Sequence, residues 1–161
     1  NFDILQSQLD YHYKDTLEVF AGDKPLAVKL ELANNMAQYA HILDDDERAL
    51  RIANTGLALT NATDIQNATE VELLTGKTNA SRSWYCLHLT KARILAKLTT
   101  AEETIKWIDT SLQSLDGRKV SYAYLTKHRN YDGSENNAPK TVADGLLELK
   151  LRLLKQSRGT H

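Results

Sequence analysis

The chain has 161 residues, 42% apolar and 25% charged, with a formal net charge of -1, two prolines and seven glycines. That length makes about one domain with a sizeable core, and the composition excludes a disordered linker or a turn-rich sandwich. Near-balanced charge excludes a large nonspecific grip on nucleic acid or an acidic membrane, and Cys86 as the sole cysteine excludes an intrachain disulfide or a multi-cysteine zinc site.

Phe2, Leu5, Leu9, Tyr13, Leu17 and Phe20 recur at three and four residues and predict an amphipathic helix over 2–21. Gly22 suits a left-handed helix end and Pro25 the first turn of a following helix, so residues 21–24 form a tight turn. The second helix extends to about Leu43 with a broad apolar face from Leu26, Leu30, Ala33, Ala37 and Ala40. Asp44, Asp45, Asp46 and Glu47 are an acidic helix start, and Ala49, Ile52, Ala53 and Leu57 give the third helix a face that folds back on the second. Residues 26–60 are therefore a first hairpin.

Residues 61–81 change character to Asn, Thr and Ala and form a long connection, with a short helix around Ile65 to Leu74. They hold three N-glycosylation triplets, at Asn61, Asn67 and Asn79, which also suit a plain polar loop. A fourth helix from about Ser83 to Leu98 carries enough apolar surface to be central. Thr100 with Glu103 caps a fifth, whose Ile105, Ile108, Leu112 and Leu115 end at Gly117. Residues 83–116 are a second hairpin. Val120, Tyr122 and Tyr124 alternate as in a strand, but a lone strand has no partner and a helical turn is expected. After an Asn- and Gly-rich loop, residues 140–156 make a last helix with leucines on nearly all sides, either buried or a docking face. The expected fold is all-α, about six to seven helices in antiparallel hairpins within one domain, 1–161.

Small residues recur at matching spacing in the two hairpins: Ala37, Ala49, Ala53 and Leu57, then Ala92, Thr104, Ile108 and Leu112, with twelve residues from Ala37 to Ala49 and from Ala92 to Thr104. Over 26–59 and 85–115 this alternation resembles the tetratricopeptide class of helical repeats, including the divergent 14-3-3-like superhelices. Thr104 and Ile108 depart from the alanine and aromatic of that pattern, and Gln38-Tyr39 stands where the 14-3-3 branch has an Arg-Tyr pair for phosphate. The resemblance implies a right-handed superhelical stack in which the first helix of each hairpin lines a groove; without it, an irregular bundle. The groove would be lined by two polar stripes, Asn34, Gln38 and His41 on the second helix and Thr90, Arg93 and Lys97 on the fourth. Amides and cations together suit an extended, acidic peptide or a partner helix, with Arg93 able to grip a carboxylate bidentately.

Other chemistries find less support. Carboxylates for a magnesium-dependent nucleotide hydrolase are better explained as caps at Asp44 to Glu47 and at Glu102 and Glu103, and Glu70 and Glu72 point to different helix faces. None of His12, His41, His88, His128 or His161 follows a Glu by three residues, as a di-iron bundle needs. Cys86 lies in an apolar run and is read as a small buried hydrophobe, without His88 as its base. Arg82, Lys91, Arg93 and Lys97 beside Trp84 and Tyr85 are read as a solvated basic face rather than a nucleic-acid site. The expectation is a non-catalytic binding protein with no cofactor and no metal, in a reducing, cytoplasmic setting, with a secreted, glycosylated form as the minority alternative. The first residue, Asn1 in place of Met, points to a fragment or a processed product. A structural role is the alternative, in which Leu147, Leu151 and Leu154 pack into a larger assembly or a homodimer.

Overall fold

The computed structural model describes residues 2–65, 80–121 and 141–159. Within them the fold is all-α, with six helices: α1 (Phe2–Ala21), α2 (Leu26–Ile42), α3 (Asp46–Leu57), α4 (Ala80–Leu98), α5 (Ala101–Leu115) and α6 (Val142–Gly159). Boundaries fall within a few residues of those read from periodicity. The expected short helix of the connection begins within 62–65, and the rest of that expectation lies outside the described residues, as do Glu70, Glu72, Asn67, Asn79 and His128.

The helix ends show how local chemistry sets the turns. Asp45 caps α3 by accepting from the Arg48 amide at 3.3 Å, and Thr100 Oγ1 caps α5 by accepting from the Glu103 amide at 3.2 Å. Asp44 is not part of the cap. It takes a left-handed conformation with φ 61°, which turns the chain from α2 into α3 and sends its side chain outward to Lys97. At the end of α5, Asp116 and Gly117 are both left-handed. The expected left-handed Gly22 is absent: α1 closes instead through a bond from the Gly22 amide to the Val19 carbonyl at 3.2 Å. Asn61, the one described glycosylation candidate, caps the helical turn at 62–65, where its side chain accepts from the Asp64 amide and donates to the Asp64 carboxylate, both at 3.0 Å.

The segment expected as a helical turn at 120–128 differs where it is described. Ser121 forms an isolated antiparallel bridge with Thr141, and the Val142 amide donates to the Val120 carbonyl at 2.8 Å. The start of α6 supplies the pairing partner that the sequence alone did not reveal.

Packing follows the small residues. Ala37, Ala49, Ala53, Ala92, Thr104 and Ile108 are all fully buried, and Leu57 and Leu112 pack against the same core. Where these small side chains and Gly56 meet, α2 and α3 approach closely, and both lie against α4. Helix α4 is central: it also packs on α5 and α6, while α1 covers α2 and α5 packs on α6. Helices α2, α4 and α6 thus run side by side on one flank, with α3 and α5 behind them. Where α2, α3 and α4 meet, Gly56 has no side chain to spare: a Cβ there would stand 2.6 Å from Ala33 Cβ and 3.0 Å from Leu87 Cδ1.

Between α4 and α5 lies a buried aromatic cluster. The His88 ring stacks on Trp107 at 4.8 Å and meets the edge of Trp84 at 4.4 Å, and its Nδ1 shares a 2.8 Å hydrogen bond with Ser111 Oγ. Trp107 Nε1 donates to the His88 carbonyl at 2.9 Å, and the Lys91 ammonium sits 4.1 Å from the Trp107 ring centre. His88 Nε2 is buried with no hydrogen-bond partner among the described residues. Burial, and secondarily the Lys91 charge, push the imidazole pKa down to about 3.

Candidate functional site, a basic cleft on α2, α4 and α6

The six residues expected to line a groove divide into two groups. Asn34, Gln38 and Thr90 are only 3%, 9% and 2% exposed, so they cannot face a partner. Because α2 lies directly along α4, the two stripes meet each other, and Thr90 Oγ1 donates to Asn34 Oδ1 at 2.7 Å. Buried polar groups demand partners, and here Thr90 meets that demand for Asn34 Oδ1. Replacing Thr90 with Val removes the donor while keeping the shape; it is expected to cost about 1 to 2 kcal/mol by leaving Asn34 Oδ1 short of a bond, read from the urea midpoint.

The other three, His41, Arg93 and Lys97, lie further along the same helices, beside an opening. They line a cleft of about 470 Å³ together with Ala96, Leu149, Arg152, Leu153 and Gln156. Leu149 and Leu153 are buried and form an apolar floor supplied by α6, while Arg152 and Gln156, one helical turn apart, stand at its edge. Among the described residues no carboxylate is part of the lining itself, although Asp44 and Asp46 reach two of its basic groups.

Two of its basic groups are steadied by the acidic turn beside it. Lys97 Nζ donates to Asp44 Oδ1 at 2.9 Å, and His41 Nδ1 lies 2.5 Å from Asp46 Oδ1. The Asp44 hydrogen bond raises the Lys97 pKa, and Lys97 in turn lowers that of Asp44. Arg152 makes no ion pair among the described residues. Basic side chains over an apolar floor, two of them shared with Asp44 and Asp46, favour an anion that also carries apolar surface.

Arg152 and Gln156 escaped the sequence reading because leucines dominated the last helix. A signal was present: Leu149 with Leu153 and Arg152 with Gln156 are two i, i+4 pairs on adjoining faces.

The remaining candidates fall elsewhere. Trp84 and Tyr85 are buried, with Trp84 Nε1 donating to the Leu57 carbonyl at 3.2 Å and the Tyr85 hydroxyl to that of Ser114 at 3.1 Å, so neither can stack on a base. Lys91 turns to Trp107 and away from Arg93 and Lys97, which divides the basic face. Cys86 is fully buried and contacts the Ser121 carbonyl at 3.5 Å, and His88 is held by Ser111 and not by the thiol. Among the described residues no three His, Cys, Asp or Glu side chains converge as a metal site, and no helix is long and apolar enough to cross a membrane. Comparison with protein-family models, with curated proteins and with solved structures finds no match to this chain.

Proposed function

We propose that this chain is a non-catalytic protein-interaction module that holds an acidic segment of a partner polypeptide in the cleft between α2, α4 and α6. The observation that carries the reading is the basic lining, in which His41, Arg93, Lys97 and Arg152 surround a floor of Leu149 and Leu153, with Asp44 and Asp46 pairing only Lys97 and His41 among the described residues. The arrangement of the helices supports it. Helices α2 and α4 each open a hairpin, α6 stands in the same row, and the cleft takes residues from all three, as in helical repeats whose first helices form the binding side. The volume lies in the range of pockets that enclose a few side chains, so one acidic group with an apolar neighbour would fill it.

Titration of a fluorescein-labelled oligoglutamate peptide, followed by anisotropy, tests the reading. Saturable binding is expected, with an oligolysine control inert. Arg93→Ala with Lys97→Ala, and separately Arg152→Ala, should each weaken binding about tenfold, the scale of a lost charge-assisted hydrogen bond, with helicity by circular dichroism unchanged. Undiminished affinity in the triple variant would remove the cleft as the site. A single-stranded oligonucleotide that outcompetes the peptide, with steep loss in salt, would replace the partner class.

A further inference from the structure

Helix α6 has three sides, and the core and the cleft use only two. On the third, opposite the core, Leu147, Leu151 and Leu154 are 46%, 59% and 37% exposed. At 3.6 residues per turn the three leucines span about 60° of the helix surface. Beside them runs a second exposed row, Asp144, Glu148 and Lys155, acidic toward the start of the helix and basic toward its end. Lys150 is engaged within its own chain by Asp109 at 2.7 Å, whereas Glu148 and Lys155 make no ion pair among the described residues.

The two rows share one midpoint. Leu147 and Leu154, and likewise Glu148 and Lys155, are placed almost symmetrically about Leu151. A two-fold axis perpendicular to α6 at Leu151 therefore brings leucine row onto leucine row and charged row onto charged row with its order reversed. Leu151 then meets Leu151 of the second copy, Leu147 meets Leu154, and Glu148 meets Lys155. A two-fold axis parallel to α6 would instead set leucines against charges, leaving apolar surface wet and carboxylates unpaired. We infer that this face takes a second copy of the chain, docked α6 against α6 in antiparallel register about Leu151, with Glu148 of each copy beside Lys155 of the other. The cleft lies on a different side of α6, so the pairing leaves both clefts open and gives the assembly two equivalent acceptor sites.

The test is molar mass in solution across a concentration series of the full chain. The unaltered protein should move from 18.1 kDa toward twice that value as concentration rises. Leu151→Glu should remain at the monomer mass with unchanged helicity. Glu148→Lys and Lys155→Glu should each weaken association about tenfold, and the double variant, which restores opposite charges across the axis, should recover it. A chain that stays monomeric at its highest soluble concentration overturns the inference, whether or not another protein uses the face. So does a charge-swapped double variant that associates no better than the single ones, or a Leu151→Glu protein that still dimerises. Oligoglutamate affinity of the Leu151→Glu monomer separates the two proposals, because the cleft should bind alike in monomer and dimer.

Discussion

Lowering the pH from 7 to 5 is expected to destabilise the protein by about 2 kcal/mol through His88 alone, and His88→Phe should remove that loss. The imidazole is held with a pKa of about 3 by burial and by the Lys91 charge, while in the unfolded chain it titrates near the model value of 6.5. Because the folded value is the lower one, the unfolded state binds the proton first. Stability is therefore complete above the unfolded pKa and falls as pH drops below it, by about 1.4 kcal/mol per pH unit, until the folded group titrates near pH 3. Protonation has no ready accommodation: Nδ1 can give its proton to Ser111 Oγ, but Nε2 faces no acceptor among the described residues, and Lys91 already places a positive charge close by. Phenylalanine preserves the stack on Trp107 and eliminates the unpaired nitrogen but takes away the partner of buried Ser111 Oγ, so its stability at pH 7 should fall by about 1 to 2 kcal/mol without changing the sign of the pH effect. Urea unfolding at pH 7, 6 and 5, monitored by tryptophan fluorescence, measures both. If the curves of the two proteins shift in parallel with pH, His88 is not the acid-sensitive group.

The same cluster illustrates what a sequence reading can and cannot reach here. Periodicity located the helices because each buries one face, and the Thr100 cap depends on residues three apart, all of it local information. The small-residue spacing likewise predicted buried alanines at 37, 49, 53 and 92, since close helix approach requires small side chains. The polar stripes misled for a physical reason. An i, i+4 run of polar residues looks the same whether it meets water or a matching run on another helix, and Asn34 and Thr90 are fifty-six positions apart. The cleft needed long-range knowledge too, because Arg152 reaches it only when α6 is laid beside α4. The bridge between Ser121 and Thr141 anchors the start of that helix, and nothing in the alternation of Val120, Tyr122 and Tyr124 identified its partner.

Gly56→Val is expected to be the most damaging single substitution of those considered, at about 3 kcal/mol or more, and Gly56→Ala should cost about 1 to 2 kcal/mol. In an open helix position Gly→Ala stabilises by about 1 kcal/mol, so propensity alone predicts the opposite sign. Packing decides against it. A new methyl at position 56 would lie 2.6 Å from Ala33 Cβ, about an ångström inside the usual carbon contact of about 3.5 to 4.0 Å. Ala33 Cβ is fixed to the α2 backbone and cannot rotate away, and Leu87 is fully buried, so its Cδ1 at 3.0 Å has little room to retreat. The helices themselves must part, and valine adds two further methyls and a restricted χ1. Urea midpoints give the size, and a double substitution gives the cause: Ala33→Gly combined with Gly56→Ala moves the methyl from α2 to α3 and should recover part of the loss. A Gly56→Ala protein more stable than the unaltered chain would show that the three helices are not in contact at that point. The result bears on the cleft as well. His41 rides on α2 while Arg93 and Lys97 ride on α4, and α3 is wedged behind both. Pushing α3 outward at Gly56 alters the separation of those cations, so Gly56→Ala should weaken oligoglutamate binding even though position 56 does not line the cleft.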